Sequence, residues 1–420
     1  MQIQAIKGTL DALPPRGHTL RAIENTLLTA AADYGYSEIR TPVFEATELF
    51  TRGMGGTTDV VQKEMYSFED KGGRSITLRP EGTAGVVRAF LEHGLFNEAM
   101  PQKLSYITSC YRYEKPQAGR YREFHQFGVE CFGAAGPAVD AELIAMVAGI
   151  FRRLGVQGLR LELNSIGCPK CRPAYHKALA EYFAARKGEL CPTCLERLER
   201  NPMRILDCKS PVCGAIAKEA PVGLDYLCGD CEEHFDGLKS RLTDLEIEYK
   251  VNPRIVRGLD YYTKTVFEFV TDAIGAQGTV CGGGRYDGLV EELGGSPVPA
   301  LGFGMGLERL ELVLKACGQP LPEPEPCLLY LVTVGEEGES FAAKACEYLR
   351  GKGSRAEYDL MKRSVKAQMK YAGKIAAKYT AVVGADDLAA GKIRVKRMAD
   401  GEITELPAEA FAQSFAQGLS

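Results

Sequence analysis

The chain has 420 residues, 45% of them hydrophobic and 25% charged, enough to bury a sizeable core and to divide into two or three domains. A net charge of -4 gives no global pull on a polyanion, so any nucleic-acid partner must be held by local patches. No basic segment followed by an apolar run opens the chain, and the longest nearly apolar stretch, Ala141 to Phe151, is short and contains Glu142. Neither secretion nor a membrane span is expected, and the cytoplasm is the expected compartment.

In chain order, the first candidate for chemistry is "RPEGT" (79–83), whose Glu81 suits an ammonium, although the same residues fit a surface turn. Strand-like segments at Leu104–Ser109, Phe124–Cys131 and Val266–Thr271 are separated by turns and loops, which predicts an antiparallel sheet. The stretch "SCYRYEKPQAGRYREFHQFGVEC" (109–131) reads as a hairpin, with Arg112 and Glu114 projecting from one face. Arg112, Arg120 and Arg122 suit a polyphosphate and Phe124 offers a ring for a base; a solvated charged hairpin fits the same spacing. Gln126 and Glu130, four apart on one strand, share a face, and His125 points to the other as a framework residue.

Residues 168–231 hold eight of the fourteen cysteines. Without a secretion signal these argue for free thiols or metal ligands rather than disulfides. The pairs Cys168/Cys171, Cys191/Cys194, Cys208/Cys213 and Cys228/Cys231 have ligand-like spacing, enough for up to two tetrahedral thiolate sites holding structural Zn²⁺. We read residues 166–240 as a Cys-rich insertion between two parts of a catalytic domain, 1–165 and 241–317. In "RGLDYYT" (257–263), Arg257, Asp260, Tyr261 and Tyr262 suggest a pocket for something charged and something flat; a plain Arg257–Asp260 salt bridge is the alternative.

No Gly-x-x-x-x-Gly-Lys-Ser/Thr loop occurs, and "GFGMGLER" (302–309) lacks the following strand and acidic residue of a dinucleotide fold. A Pro-rich spacer at 318–326 precedes a last segment, 327–420. There strand-like "CLLYLVTVG", "AEYDL" and "YTAVVGAD" alternate with helical stretches near 338–351 and 364–376, which predicts a small α/β domain. The segment carries Lys362, Arg363, Lys366, Lys370, Lys374 and Lys378, and at helical spacing Lys362, Lys366, Lys370, Lys374 and Lys378 form a basic stripe suited to a phosphate backbone; a solvated helix face fits it too.

End to end, from "IKGTLDALPP" onward, the chain resembles the class II aminoacyl-tRNA synthetases, and among them the histidyl-tRNA synthetase family. The first class motif corresponds to "YGYSEIRTPVFE" (34–45), with Pro42 at a helix-to-strand junction; the second is the 109–131 hairpin, and the third is "GFGMGLERL" (302–310). "RGLDYYT" and "CGGGRYDGL" (281–289) match the two histidine-specific motifs. The resemblance implies an α+β catalytic domain on an antiparallel sheet, an α/β anticodon-binding domain, and a homodimer built partly on the first motif. It implies ATP-dependent formation of a histidyl-adenylate, release of pyrophosphate, and transfer of histidine to tRNA(His), with Mg²⁺ on the β- and γ-phosphates. L-Histidine is then held by Glu81, Thr83, Gln126, Glu130, Tyr261, Tyr262 and Tyr286. ATP is held by Arg112, Glu114, Arg120, Phe124, Arg257 and Arg309, with Arg257 and Arg112 as the catalytic pair at the α-phosphate. The insertion is expected to touch the tRNA acceptor arm.

Overall fold

In Phe127–Cys131 apolar residues alternate with glycine and glutamate, a period-two pattern that assigns them to opposite faces, whereas Val266–Val270 is apolar except for Glu268 and buries Val266 along with Phe267 and Phe269. The computed structural model describes residues 3–56, 58–208, 210–274 and 278–418. It contains two compact units, Met1–Pro322 and Glu323–Ser420. In the first, the strands are β1 (Ser37–Glu38), β2 (Phe44–Ala46), β3 (Tyr66–Glu69), β4 (Ser75–Leu78), β5 (Gln102–Tyr111), β6 (Glu123–Phe132), β7 (Arg160–Ser165), β8 (Lys250–Val251), β9 (Thr263–Val270), β10 (Thr279–Arg285) and β11 (Ala300–Gly306).

Eight of them form one sheet in the order β1-β5-β6-β11-β10-β9-β7-β8, antiparallel throughout its centre, while β2-β4-β3 form a small separate sheet. Register decides the two faces of the large sheet. Phe127, Val129 and Cys131 lie opposite Met305, Phe303 and Leu301, and with Phe267 and Phe269 they meet the apolar sides of helices Arg16–Asp33, Pro137–Arg153, Gly229–Asp244 and Leu307–Ala316. Each fully buried side chain of this size stabilises by about 1.5–3 kcal/mol. The other row, Gln126, Gly128 and Glu130 opposite Gly306, Gly304 and Gly302, faces bare glycine on β11, and helix Thr83–Glu92 meets it at Glu130 through Thr83.

Two expectations change in this unit. Arg112 and Glu114 do not project from a strand face: β5 stops at Tyr111 and β6 starts at Glu123. Between them Pro116, which has no N–H for the ladder, and Gly119 at φ +71° turn the chain around a Gln117–Arg120 bridge. Pro42 lies between β1 and β2 rather than at a helix-to-strand junction, the preceding helix having ended at Asp33, and its carbonyl accepts from Arg79 Nη1 at 3.0 Å. The insertion is a set of short helices, Arg172–Ala184, Pro192–Arg200 and Pro211–Lys218, around a small core of Tyr175, Leu179, Phe183 and Ile205.

In the second unit β12 (Leu329–Thr333), β13 (Ala356–Tyr358), β14 (Tyr379–Val383), β15 (Lys392–Arg397) and β16 (Ile403–Pro407) are ordered β13-β12-β14-β15-β16. The first three are parallel and are connected by helices Gly335–Gly351 and Val365–Lys374, while β15 and β16 add antiparallel. The basic stripe is shorter than its sequence spacing suggests. Lys362 and Arg363 precede the helix, Lys362 at φ +53°, and Lys378 follows it, where its N–H donates to Cys327 O. Arg363 is drawn to Asp359 (3.4 Å) and over the Tyr371 ring, so the exposed helical stripe is Lys366, Lys370 and Lys374.

Candidate active site

The free face of the sheet has a floor of bare backbone. A Cβ at Gly302 would collide with Glu130 Oε2, one at Gly282 with Arg257 Nη1, and one at Gly304 would come within 2.5 Å of Gln126 Nε2. Glycine at these positions is therefore a packing requirement, since it lets side chains from the neighbouring strands lie flat across the sheet. At one end of the floor Glu130, fully buried, accepts from three hydroxyls: Thr83 Oγ1 (2.7 Å), Tyr106 OH (2.9 Å) and Tyr286 OH (2.5 Å). Glu81, also buried, accepts from Tyr261 OH (2.9 Å) and from the N–H of Ala84 (3.0 Å), and Gln126 Oε1 accepts from the N–H of Gly82. Burial lifts the Glu130 carboxyl to about 8, the nearby Glu81 adding to the rise and the hydroxyl donors opposing it; burial also raises Glu81. Two carboxyls with raised pKa values among tyrosines form a pocket able to take a ligand that carries hydrogen-bond donors and positive charge.

At the other end a cleft of about 560 Å³ is lined by Arg112, Glu114, Arg120, Phe124, Gln126, Arg257 and Arg309, with Glu268 and Arg254 among its further walls. Arg257 forms an ion pair with Glu268 and lies over the Tyr262 ring, and burial, which disfavours its charge, is outweighed by the Glu268 carboxylate. Arg112 donates to Pro80 O (2.8 Å) and faces Phe124, Arg120 pairs with Glu114 (3.1 Å), and Arg309 donates to Thr279 O (2.7 Å). Burial and then the Arg120 charge weaken the hold of Arg309 on its proton. Guanidinium groups gathered round an aromatic ring suit a nucleotide polyphosphate.

The chain matches the family described as "Histidyl-tRNA synthetase" over residues 8–170 and 223–310, and "Anticodon binding domain" over 329–417. It is 55% identical to the histidine–tRNA ligase of Acetivibrio thermocellus over 97% of both chains. The chain belongs to the histidyl-tRNA synthetase family. Among solved structures, that of apo Staphylococcus aureus histidyl-tRNA synthetase superposes with a TM-score of 0.85 at 41% identity, covering 99% of this chain and 100% of that one. A Bacillus halodurans protein titled an ATP phosphoribosyltransferase regulatory subunit/histidyl-tRNA synthetase shares the fold at 21% identity and a TM-score of 0.62, covering 88% of this chain and 97% of its own.

The fold is that of the class II histidyl-tRNA synthetases, an antiparallel catalytic sheet and a separate C-terminal α/β sheet, as the resemblance implied. Of the residues tied to histidine by that resemblance, Thr83 and Tyr286 bond the buried Glu130, Tyr261 bonds the buried Glu81 with the Tyr262 ring beside it, and Gln126 reaches the cleft. The six tied to ATP all line the cleft. Arg122 does not; its guanidinium stacks on Tyr113 at 3.9 Å. His125 pairs with Glu308 at Nδ1 (2.7 Å), which raises its pKa. The Arg257–Asp260 salt bridge weighed on sequence grounds does not form: Arg257 takes Glu268, and Asp260 takes Arg204 of the insertion (2.7 Å).

Sequence reasoning missed Tyr106 and Glu268. A lone glutamate in "TVFEFV", opposite Gly282, was a legible signal for the second; Tyr106 in "LSYITS" left none. Among the described residues two cysteine quartets come together, Cys168/Cys171/Cys228/Cys231 and Cys191/Cys194/Cys208/Cys213, each with its four sulfurs within 4.8 Å of one another. Among these residues no helix is long and apolar enough to cross a membrane.

Proposed function

We propose that the chain activates L-histidine with ATP and transfers it to tRNA(His). The observation that carries this reading is the single glycine-floored face, with a buried Glu81/Glu130/tyrosine pocket at one end and the guanidinium-lined cleft at the other. Glu130 takes an imidazole N–H, Glu81 takes the α-ammonium, and Gln126, Thr83 and the tyrosines close round them. A site that hydrogen-bonds both ring nitrogens rejects analogues lacking them by roughly 10⁴-fold or more. An α-carboxylate oxygen of histidine attacks the α-phosphorus, the bond to the bridging oxygen of the β-phosphate breaks, and pyrophosphate leaves. Arg112 and Arg257 stabilise the charge that grows on the α-phosphoryl oxygens, Arg309 holds the triphosphate tail, Glu114 and Phe124 hold the base, and no side chain forms a covalent intermediate. Mg²⁺ enters with ATP as part of the substrate. A ribose hydroxyl at the 3′ end of tRNA then attacks the histidyl carbonyl carbon and AMP leaves.

The exposed Lys366/Lys370/Lys374 stripe supports tRNA binding by the C-terminal unit. The exposed Val43 and Phe44 of the first motif, with the exposed Phe68 on the small β2-β4-β3 sheet that Phe44 opens, support a homodimer, to be checked by sedimentation. The deciding experiment is ATP–pyrophosphate exchange without tRNA against all twenty amino acids. Exchange with histidine alone is expected; histidine binding without exchange would instead make the protein a histidine sensor.

A further inference from the structure

We propose that the two cysteine quartets are structural zinc sites whose task is to hold the insertion against the "RGLDYYT" segment, and hence Arg257 at its post; the second half of this rests on the ligase reading. Sulfur geometry comes first. Tetrahedral zinc with bonds of about 2.3 Å sets sulfurs about 3.8 Å apart, whereas a disulfide brings them to about 2.05 Å. Observed separations are 3.7 Å for Cys168–Cys228, 3.8 Å for Cys168–Cys171 and Cys171–Cys231, and 3.9 Å for Cys191–Cys208. Backbone N–H groups of Cys168 and Cys191 donate to Cys171 Sγ (3.1 Å) and Cys213 Sγ (3.2 Å), an arrangement that favours thiolate over thiol. Four sulfurs this close leave room for a single ion.

The insertion also needs such staples. Its own core is small, and a unit under roughly 70–80 residues rarely gains more than 3–5 kcal/mol from a core alone. The first quartet joins the two ends of the insertion, and the residue after Cys171, Arg172, donates Nη2 to Tyr262 O (2.5 Å). The second closes the loop that carries Asn201 and Arg204, both hydrogen-bonded to Asp260 Oδ1, at 3.2 Å from Asn201 and 2.7 Å from Arg204 Nη2. Between insertion and segment lies a cavity of about 190 Å³ lined by Arg172, His176, Asn201, Arg257 and Tyr262, and Arg172 Nε, His176 Nε2, Asn201 Oδ1 and Arg257 Nε are buried without hydrogen-bond partners. The directional bonds of Arg172, Asn201 and Arg204 to this segment keep their aim only if the loop that bears them is rigid.

The test begins with metal analysis of full-length, tag-free protein from zinc-containing medium. Two zinc ions per chain are expected, falling to one in Cys194→Ser/Cys213→Ser; none or one in the wild type overturns the assignment. Cobalt(II)-loaded protein must show the charge-transfer and d–d bands of tetrahedral thiolate sites, a readout that needs no enzyme activity. Arg204→Met is then expected to keep both zinc ions and to lower the kcat of histidine-dependent exchange by on the order of 10²-fold with KM for ATP little changed, the effect of a misaimed Arg257. Full exchange activity in that variant overturns the positioning role. A wild type that shows no exchange would overturn the ligase reading, while the zinc count decides the sites on its own.

Discussion

Arg257→Ala separates the chemistry of the cleft from its stability. Arg257 lines the cleft, stays partly accessible at 20% of its side-chain surface, and is held by Glu268 and the Tyr262 ring. Removing one preorganised donor from a developing oxyanion typically costs about 10²–10³-fold in rate, or about 2.7–4 kcal/mol. The same substitution leaves Glu268 with Thr279 Oγ1 (2.9 Å) but without its cation, a loss of about 1–3 kcal/mol in folding stability. Arg257→Ala/Glu268→Gln should therefore recover most of the stability lost in urea unfolding and none of the exchange rate. Exchange by Arg257→Ala at the wild-type rate would refute the role of this residue, and a double variant that regained turnover would refute the claim that the guanidinium itself acts on the phosphate.

Gly302→Ala drives a methyl into the Glu130 carboxylate, so KM for histidine should rise at least about 10-fold while KM for ATP stays near its original value, measured by exchange at varied concentrations of each. Because burial lifts the Glu130 carboxyl from 4.5 to about 8, the folded chain keeps a proton there that the unfolded chain has released, and stability falls as pH rises between those values. Glu130→Gln should flatten the unfolding free energy against pH in that window, by up to about 1.4 kcal/mol per pH unit; an unchanged profile would mean that Glu130 titrates normally. Changing Lys366, Lys370 and Lys374 to Glu should leave exchange intact and weaken tRNA charging, with the slope of log affinity against log salt reduced by roughly 0.7–0.9 per lysine lost.

Sequence pattern alone located the strands that carry the site, because Phe127-Gly128-Val129-Glu130-Cys131 shows period two over its whole length and Val266-Phe267-Glu268-Phe269-Val270 is a short apolar, β-branched and aromatic run broken only by Glu268. It could not show what Arg257 pairs with. Glu268 is eleven residues away across a turn, and the partner of Asp260 comes from an insertion fifty-six residues upstream; such pairings depend on tertiary register that no local spacing encodes. The basic stripe failed for a local reason instead: residues 362–378 carry lysines at helical spacing, but Lys362 takes a positive φ ahead of the helix and the helix ends at Lys374.

The glycine runs are where sequence and structure differ most in meaning. "GFGMG" and "CGGG" look like phosphate-binding loops but are facing stretches of β11 and β10, with Gly302 opposite Gly284 and Gly304 opposite Gly282. Their neighbours in the same register rows are Glu130 and Gly128 on β6 and Val266 and Glu268 on β9, so the two carboxylates that flank the site stand diagonally across a strip two strands wide that carries no side chains. Because antiparallel register fixes which residues share a face, a one-residue slip of β11 would bring Phe303 and Met305 out of the core onto that strip and send its glycines into the core. The apolar row that holds the domain together thus also enforces the bare row, and the depth of the pocket is set by backbone rather than by any side chain that could rotate out of the way.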